Sequence, residues 1–255
     1  MHIHPGELVG LIVVDEVAAL PWGPTVPDTT TFGGAIRVLK KYALWEKLPD
    51  SVRKHLERAD PKQETPKVSD FEREGVKARN FVLASSENVC EAARKRAEQL
   101  GHSSMILSTV MEGESREVGI ALAGIAKETE KSSRPLKPPC VLVVGGETTV
   151  TITGEPGEGG RNQEFALAAS LKIDGSRRIV IASIGTDGTD GPTDIAGGIV
   201  DGYTLERTKE KKIDLFQNLR THNSSYVFRQ LDDAIFTGST GTNVMDLRLL
   251  VVGPP

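Results

Sequence analysis

The sequence predicts an α/β protein: a mixed-sheet domain over most of the chain, with a fragment of another domain in front of it. Three observations lead there. Between about 80 and 126, strand-like and helix-like patterns alternate, which implies a parallel sheet with helices packed on it. After Pro139 the chain becomes β-rich with glycine-rich loops between apolar runs. Ahead of both, LVGLIVVDEV (8–17) reads as a strand apolar on both faces, expected inside a sheet, yet almost nothing precedes it to supply neighbours.

Taken in order, 18–28 is a Pro-rich loop and Thr29–Thr31 offer a helix N-cap. The helix that follows carries Phe32, Ile36, Leu39, Ala43 and Trp45 at roughly helical spacing. A second short helix falls near Ser51–Ala59, and the polar DPKQETPKVSD stretch after it reads as a linker. Phe81–Ala84 is strand-like. Val89, Ala92, Ala93 and Leu100 mark a helix stopping at Gly101. Met105–Thr109 is the next strand, and Val118, Ala121, Leu122, Ile125 and Ala126 mark the next helix. Val141–Val144 and Thr148–Thr153 read as strands, and 162–171 as a helix with Phe165, Ala168 and Leu171 inward. A strand at 179–184, two or three helices over 203–231, and strands at Ala234–Phe236 and Leu247–Val252 complete the chain.

Composition narrows the function. Hydrophobic content of 38% and charged content of 26% are those of a soluble globular protein. The net charge of −4, from 35 acids against 31 bases with no basic block, argues against a nucleic-acid partner. The apolar run Leu8–Val14 is far too short for a membrane span, and no signal-peptide pattern is visible, so a cytoplasmic protein without a membrane partner is expected. Cys90 and Cys140 have no CxxC spacing and read as buried free thiols. Neither HExxH nor GxSxG occurs, which leaves zinc proteolysis and acyl hydrolysis without support.

Ligands in α/β sheets gather at loops leaving the carboxyl ends of strands. GGETT (145–149), GEPGEGGRNQE (154–164) and GTDGTDGPTD (185–194) have that position by expectation, and TGSTGTN (237–243) is a fourth candidate. In the second loop, Gly157, Gly159 and Gly160 let backbone N–H groups approach an anion beside a helix N-terminus. Arg161 has the wrong sign for that helix dipole. It either serves a phosphate or carboxylate ligand or pairs with Glu155 or Glu158. No GK[ST] follows the glycines, so this is not a P-loop. The third loop reads in two ways. It is two Asp-Gly turns followed by a helix cap near Thr193–Asp194, or it is a carboxylate site in which Asp187 binds Mg²⁺ or takes a proton. His222 in HNSSY reads as beginning and capping a helix; His2, His4, His55 and His102 carry no site signal.

Four long motifs in order, GGETTVTITGEPGEGGRNQEFALA, GTDGTDGPTDIAGGIVDG, HNSSY and TGSTGTNVMDLRLLVV, resemble the C-terminal (MOFRL) domain of the class II glycerate 2-kinases. That family also goes under the label hydroxypyruvate reductase. GPTVPDTTTF (23–32), FVLASSENVCEAA (81–93) and EGESREVG (112–119) extend the resemblance to nearly the whole chain from about Leu8. The resemblance implies ATP- and Mg²⁺-dependent phosphorylation of the 2-hydroxyl of D-glycerate, in a cleft between two α/β domains. It implies catalytic roles for Arg161 and Asp187, with Asp187 and Asp190 toward the metal. Glu147, Gly159, Gly160, Asn162, Thr242 and Asn243 would line the substrate and phosphate side. Its domain reading is a truncated remnant of a Rossmann-like N-terminal domain at 1–65, a linker at 66–76, and a C-terminal α/β domain at 77–255 with its MOFRL-like region at 139–255. The family's Gly/Ser-rich loop and lysine, ahead of that remnant, have no counterpart in this sequence. Trp22 stands where the family has Ser, and Ser86 where it has Asn. The alternative expectation is therefore a noncatalytic truncated product, or a subunit of a split glycerate kinase. A homo-oligomer and a missing N-terminal partner chain are the two partner expectations. Reduction of hydroxypyruvate with a nicotinamide cofactor finds no dinucleotide fingerprint.

Overall fold

The computed structural model describes residues 6–16 and 22–254. His2, His4, the end of the expected first strand at Val17 and the start of the Pro-rich loop lie outside the described residues. The chain forms two compact units, one of residues up to Ile12 together with Pro21–Val82, the other of Val13–Leu20 together with Leu83–Pro255.

In the first unit, strand β1 (Glu7–Val13) pairs with β2 (Lys77–Ala84), whose last residues run into the second unit. β1 does not have the sheet neighbours expected on both sides. Its residues alternate between half-buried and exposed, with Val9 and Leu11 at 57% and 65% exposure, because β2 is its one partner among the described residues. Helix α1 (Phe32–Lys41) starts where expected: the Thr31 hydroxyl accepts the Gly34 N–H at 3.1 Å. It stops before Trp45, because Ala43 takes a left-handed backbone (φ 53°) and Trp45 falls in a short 3-10 turn. Helix α2 (Asp50–Arg58) follows. The polar stretch after it contains helix α3 (Val68–Arg73), started by Asp70 accepting the Lys67 N–H at 2.8 Å. No described residue of this unit is fully buried.

The second unit is built on a six-stranded sheet. Its strands are β3 (Ser103–Met111), β4 (Cys140–Gly146), β5 (Ile179–Gly185), β6 (Gly197–Asp201), β7 (Ala234–Ile235) and β8 (Asp246–Val252), in the order β3-β4-β8-β5-β6-β7. The strand–helix alternation gives a parallel pair only at β3–β4. The last strand, β8, enters antiparallel between β4 and β5, and β5–β6 and β6–β7 are antiparallel too. The sheet is mixed.

Helices cover both faces, so β4 is buried along its whole length and reads as one apolar run. On one face α5 (Ser115–Ser132) and α6 (Arg161–Ile173) cover Leu142, Val144, Ile181 and Leu250; on the other α4 (Ser86–Gln99) covers Val141, Val143 and Leu247. Helices α7 (Thr204–Glu210), α8 (Leu215–Arg220) and α9 (Ser224–Leu231) pack toward α6. Cys90 and Cys140 are buried free thiols, and burial raises both pKa values. Among the described residues no helix is long and apolar enough to cross a membrane.

Two expectations fail, each for a local reason. Thr148–Thr153 is a loop, not a strand. The Thr149 N–H goes to the Gly113 carbonyl at 2.9 Å and the Thr151 N–H to the Glu114 carboxylate at 3.0 Å, which leaves no ladder to join. No helix follows Thr193–Asp194; the chain enters β6 instead. Gly197 and Gly198 disguised that strand. A Cβ at Gly197 would meet the Ser183 carbonyl oxygen at 1.9 Å, and one at Gly198 would meet the Phe228 ring at 2.4 Å, so only glycine fits.

The closest helix packing sits at Gly119 on α5, where a Cβ would lie 2.4 Å from the Phe165 carbonyl oxygen on α6. Gly119→Ala gains helix propensity but forces the two backbones apart. The expected net loss is about 1–3 kcal/mol. It should appear as a lower urea midpoint with an unchanged slope.

Candidate functional site

Four segments of the second unit converge at the start of α6: the end of β4, the glycine-rich loop, the loop after β5, and the start of β8. Gly160 precedes the helix and has no side chain to cap it. Asp190, from the loop after β5, does so from 28 residues away. Its Oδ1 accepts the Asn162 N–H at 3.0 Å and its Oδ2 accepts the Gln163 N–H at 2.9 Å. The two side-chain amides add bonds at 3.2 and 3.1 Å. A Cβ at Gly160 would sit 2.3 Å from the Asp190 carboxyl carbon, so glycine is needed for this approach. Burial pushes the Asp190 pKa up, against the lowering effect of the two backbone N–H bonds.

The second carboxylate is Asp246, at the first residue of β8 and fully buried. It accepts from Arg161 Nε at 2.9 Å, from Asn162 Nδ2 at 2.8 Å and from Arg248 Nη2 at 2.8 Å. Asn162 is held again through its oxygen, which accepts from Ser183 Oγ at 2.6 Å. Arg248 is buried with its guanidinium carbon 5.0 Å from the Phe165 ring centre, and burial lowers its pKa. Its Nη2 also donates to Thr148 Oγ1 at 2.8 Å, and its Nε and Nη1 have no partner among the described residues.

Arg161 thus leans on a fixed anion. Its other contact is Glu147, with Nη1 2.8 Å from Oε1. Burial alone would lower the Arg161 pKa, but Asp246 and Glu147 outweigh it and hold the guanidinium charged. Burial raises the Glu147 pKa, partly offset by Arg161. Of the two readings of Arg161, pairing with Glu155 or Glu158 does not occur: Glu158 lies 3.5 Å from Arg229.

A cavity of about 440 Å³ opens over this point, lined among others by Glu147, Thr149, Gly160, Arg161, Pro192 and His222. Gly159 lines it as well. Asn162 and Asp190 lie beneath, buried and committed to the helix start, rather than on the wall. Asp187, Thr242 and Asn243 belong to a neighbouring pair of loops. The Thr240 N–H donates to the Asp187 carbonyl at 3.1 Å and Thr240 Oγ1 to the Thr186 carbonyl at 2.6 Å. The half-buried Asp187 carboxylate closes a turn, with Oδ1 accepting the Thr189 N–H at 3.0 Å. Thr242 turns its N–H toward Thr240 Oγ1 at 3.4 Å. Asn243 accepts the Met245 N–H at 3.0 Å and faces Asp15 Oδ2 at 3.5 Å. Among the described residues no group of three or more His, Cys, Asp or Glu side chains could hold a metal by itself.

Residue patterns alone missed Asp246, Arg248, Glu164 and the placement of His222. The signal for the first two was present: DLR opening an apolar strand puts two opposite charges on one face, where only mutual pairing makes burial tolerable. His222 does not cap a helix. It precedes α9 with a left-handed backbone (φ 53°), and its Nδ1 lies 2.9 Å from Glu164 Oε2.

Fold and site together describe a mixed α/β unit with a held arginine at a helix start beside a cavity, and comparison with known proteins shows what it resembles. Residues 140–246 match the MOFRL family, and residues 3–57 match a domain of unknown function, DUF4147. The chain is 44% identical to a glycerate 2-kinase of Pyrococcus horikoshii over 252 residues, covering 96% of this chain and 55% of the relative. It is 38% identical to a D-glycerate 2-kinase of Thermotoga maritima, covering 96% and 56%. A crystal structure of glycerate kinase from Thermotoga maritima superposes with a TM-score of 0.82 at 36% identity, covering 98% of this chain and 58% of that one. Residues 140–246 belong to the MOFRL family, and the chain aligns with these glycerate kinases over nearly its whole length while spanning a little over half of theirs.

The geometry separates the acidic residues by job. Asp246→Asn leaves Arg161 and Arg248 short of their shared anion and should cost about 3–5 kcal/mol of stability. Asp187→Asn keeps the turn chemistry and should stay within about 0.5 kcal/mol of the parent. Urea denaturation of the two variants checks both.

Proposed function

We propose that the chain carries the substrate-side machinery of a glycerate 2-kinase, transferring the γ-phosphoryl group of ATP to the 2-hydroxyl of D-glycerate. One observation carries this reading. Arg161 is gripped by Asp246 through Nε and by Glu147 through Nη1, on the wall of a cavity under glycine-rich backbone and a helix start. A guanidinium fixed in this way presents its remaining N–H groups to a carboxylate or phosphoryl oxygen without having to reorganise. Phosphoryl transfer asks a protein for positioning and for charge opposite the transferring group, and such an arginine supplies both. The two relatives above are named as kinases of glycerate, whose carboxylate suits this anchor.

Mg²⁺ in such a reaction is held by one or two carboxylates together with nucleotide phosphates rather than by a full protein cage. Asp187 fits that requirement as a single half-buried carboxylate at a loop, whereas the Asp190 oxygens are taken up by the start of α6. The metal would supply charge neutralisation between the β- and γ-phosphates. Thr242 and Asn243 lie on the loops that share backbone bonds with Asp187 and would border the same ligand.

A second reading, a polypeptide that turns over only with a further chain, is favoured by the first unit. None of its described residues is fully buried, so those residues form no core by themselves.

ADP release by the purified chain with D-glycerate, ATP and Mg²⁺, with the phosphoglycerate isomer identified, tests the proposal. Formation of 2-phosphoglycerate is expected. Arg161→Ala should then lose about 2–4 kcal/mol of transition-state stabilisation. Turnover unchanged in that variant would remove Arg161 from the mechanism. A folded chain that binds glycerate but releases no ADP would support the partner-dependent reading.

A further inference from the structure

His222 is built into the cavity wall in a way that its place beside α9 does not require. It sits in the left-handed region (φ 53°), where a side chain with a Cβ is uncommon and where strain tends to mark function. Its Nδ1 is 2.9 Å from Oε2 of Glu164, a carboxylate only 2% exposed. The other oxygen of Glu164 accepts from Arg116 on α5, at 3.0 Å from Nε and 2.6 Å from Nη2. Arg116 Nη2 also approaches the Leu219 carbonyl and His222 Nδ1, both at 3.5 Å, and the His222 N–H donates to the same carbonyl at 3.3 Å. The ring is therefore held from α5 and α6, and its backbone N–H from α8.

The carboxylate fixes the tautomer. In the neutral ring, an acceptor at Nδ1 places the proton there and the lone pair on Nε2. Among the described residues Nε2 has no hydrogen-bond partner, and His222 lines the same cavity as Arg161 and Glu147. A carboxylate orienting an imidazole that lines a ligand space, with its far nitrogen unpaired, is the arrangement of a general base.

We propose that His222 accepts the proton of the substrate hydroxyl, positioned for it by Glu164 and Arg116; the role rests on the glycerate kinase reading above. The O–H proton of the 2-hydroxyl passes to Nε2 as its oxygen forms a bond to the γ-phosphorus of ATP. The bond from that phosphorus to the β–γ bridging oxygen breaks, and its electron pair leaves with ADP. The imidazolium returns the proton to solvent after product departs. Asp187 is left with the metal alone.

The test is nitrogen NMR of the intact chain with labelled histidine and arginine, titrated with D-glycerate, with His222→Asn used for assignment and kinetics. Asn tolerates the left-handed backbone and keeps a donor toward Glu164, and its urea midpoint is checked first. Saturating glycerate should move the Nε2 resonance of His222 together with the Nε resonance of Arg161. His222→Asn should lower kcat by about 100-fold or more while leaving KM within about threefold. A shift at Arg161 with His222 Nε2 unmoved, or turnover of His222→Asn within threefold of the parent, overturns the proposal and leaves the kinase reading standing. Absence of any glycerate-dependent shift at either residue overturns both.

Discussion

The buried carboxylate of Asp246 is the interaction on which the site depends. A carboxylate without access to water is tolerable only when its oxygens are filled with donors, and here two guanidinium groups and an amide fill them. The three donors come from two parts of the chain: Arg161 and Asn162 from the start of α6, Arg248 from two residues along β8. One anion therefore locks the last strand to the helix that carries the site. The antiparallel insertion of β8 between β4 and β5 makes this possible, because it brings Asp246 opposite both Gly146 and Gly185, at the ends of those strands.

Asp190 performs the complementary task from the other side. Helix α6 begins on a glycine and lacks a cap of its own, so its first N–H groups are satisfied by the loop after β5. The two carboxylates define where the helix starts and where its first side chain points. Arg161 follows directly after Gly160 and has little freedom left, with Glu147 fixing its outer end. A cation at a helix N-terminus is unfavourable to the helix, and the surrounding acids offset that cost. Stability is spent locally to hold one charge in one orientation at the cavity wall.

Much of the framework was legible in the sequence because apolar periodicity reports burial directly. Helices α4, α5 and α6 and strands β4, β5 and β8 carry such patterns. Strand β6 was not legible, since its two glycines are there to admit Phe228 and the Ser183 carbonyl, and they read as loop. Thr148–Thr153 misled for the opposite reason: β-branched residues suggest a ladder, but Gly113 and Glu114 claim the backbone bonds. At the site, glycines beside an arginine announced the helix start, and the structure gathers Arg161, Glu147, Gly159 and Gly160 around one cavity. The crowded aspartates turned out to divide their work, with Asp190 buried as a cap and Asp187 in a surface turn. The DLR pattern hints at the Asp246–Arg248 pair, but the pairing of Asp246 with Arg161 could not be read locally, because the two are 85 residues apart and only the sheet order brings them together.

The central claim is that the Arg161 fork, held by Asp246 and Glu147, receives the anionic end of the substrate inside this cavity. A crystal structure of the chain soaked with D-glycerate tests it most directly. The account predicts the glycerate carboxylate within hydrogen-bond distance of the Arg161 guanidinium, with the Asp246 contact unchanged. Glycerate bound elsewhere, or Arg161 released from Asp246 to reach it, would contradict the account.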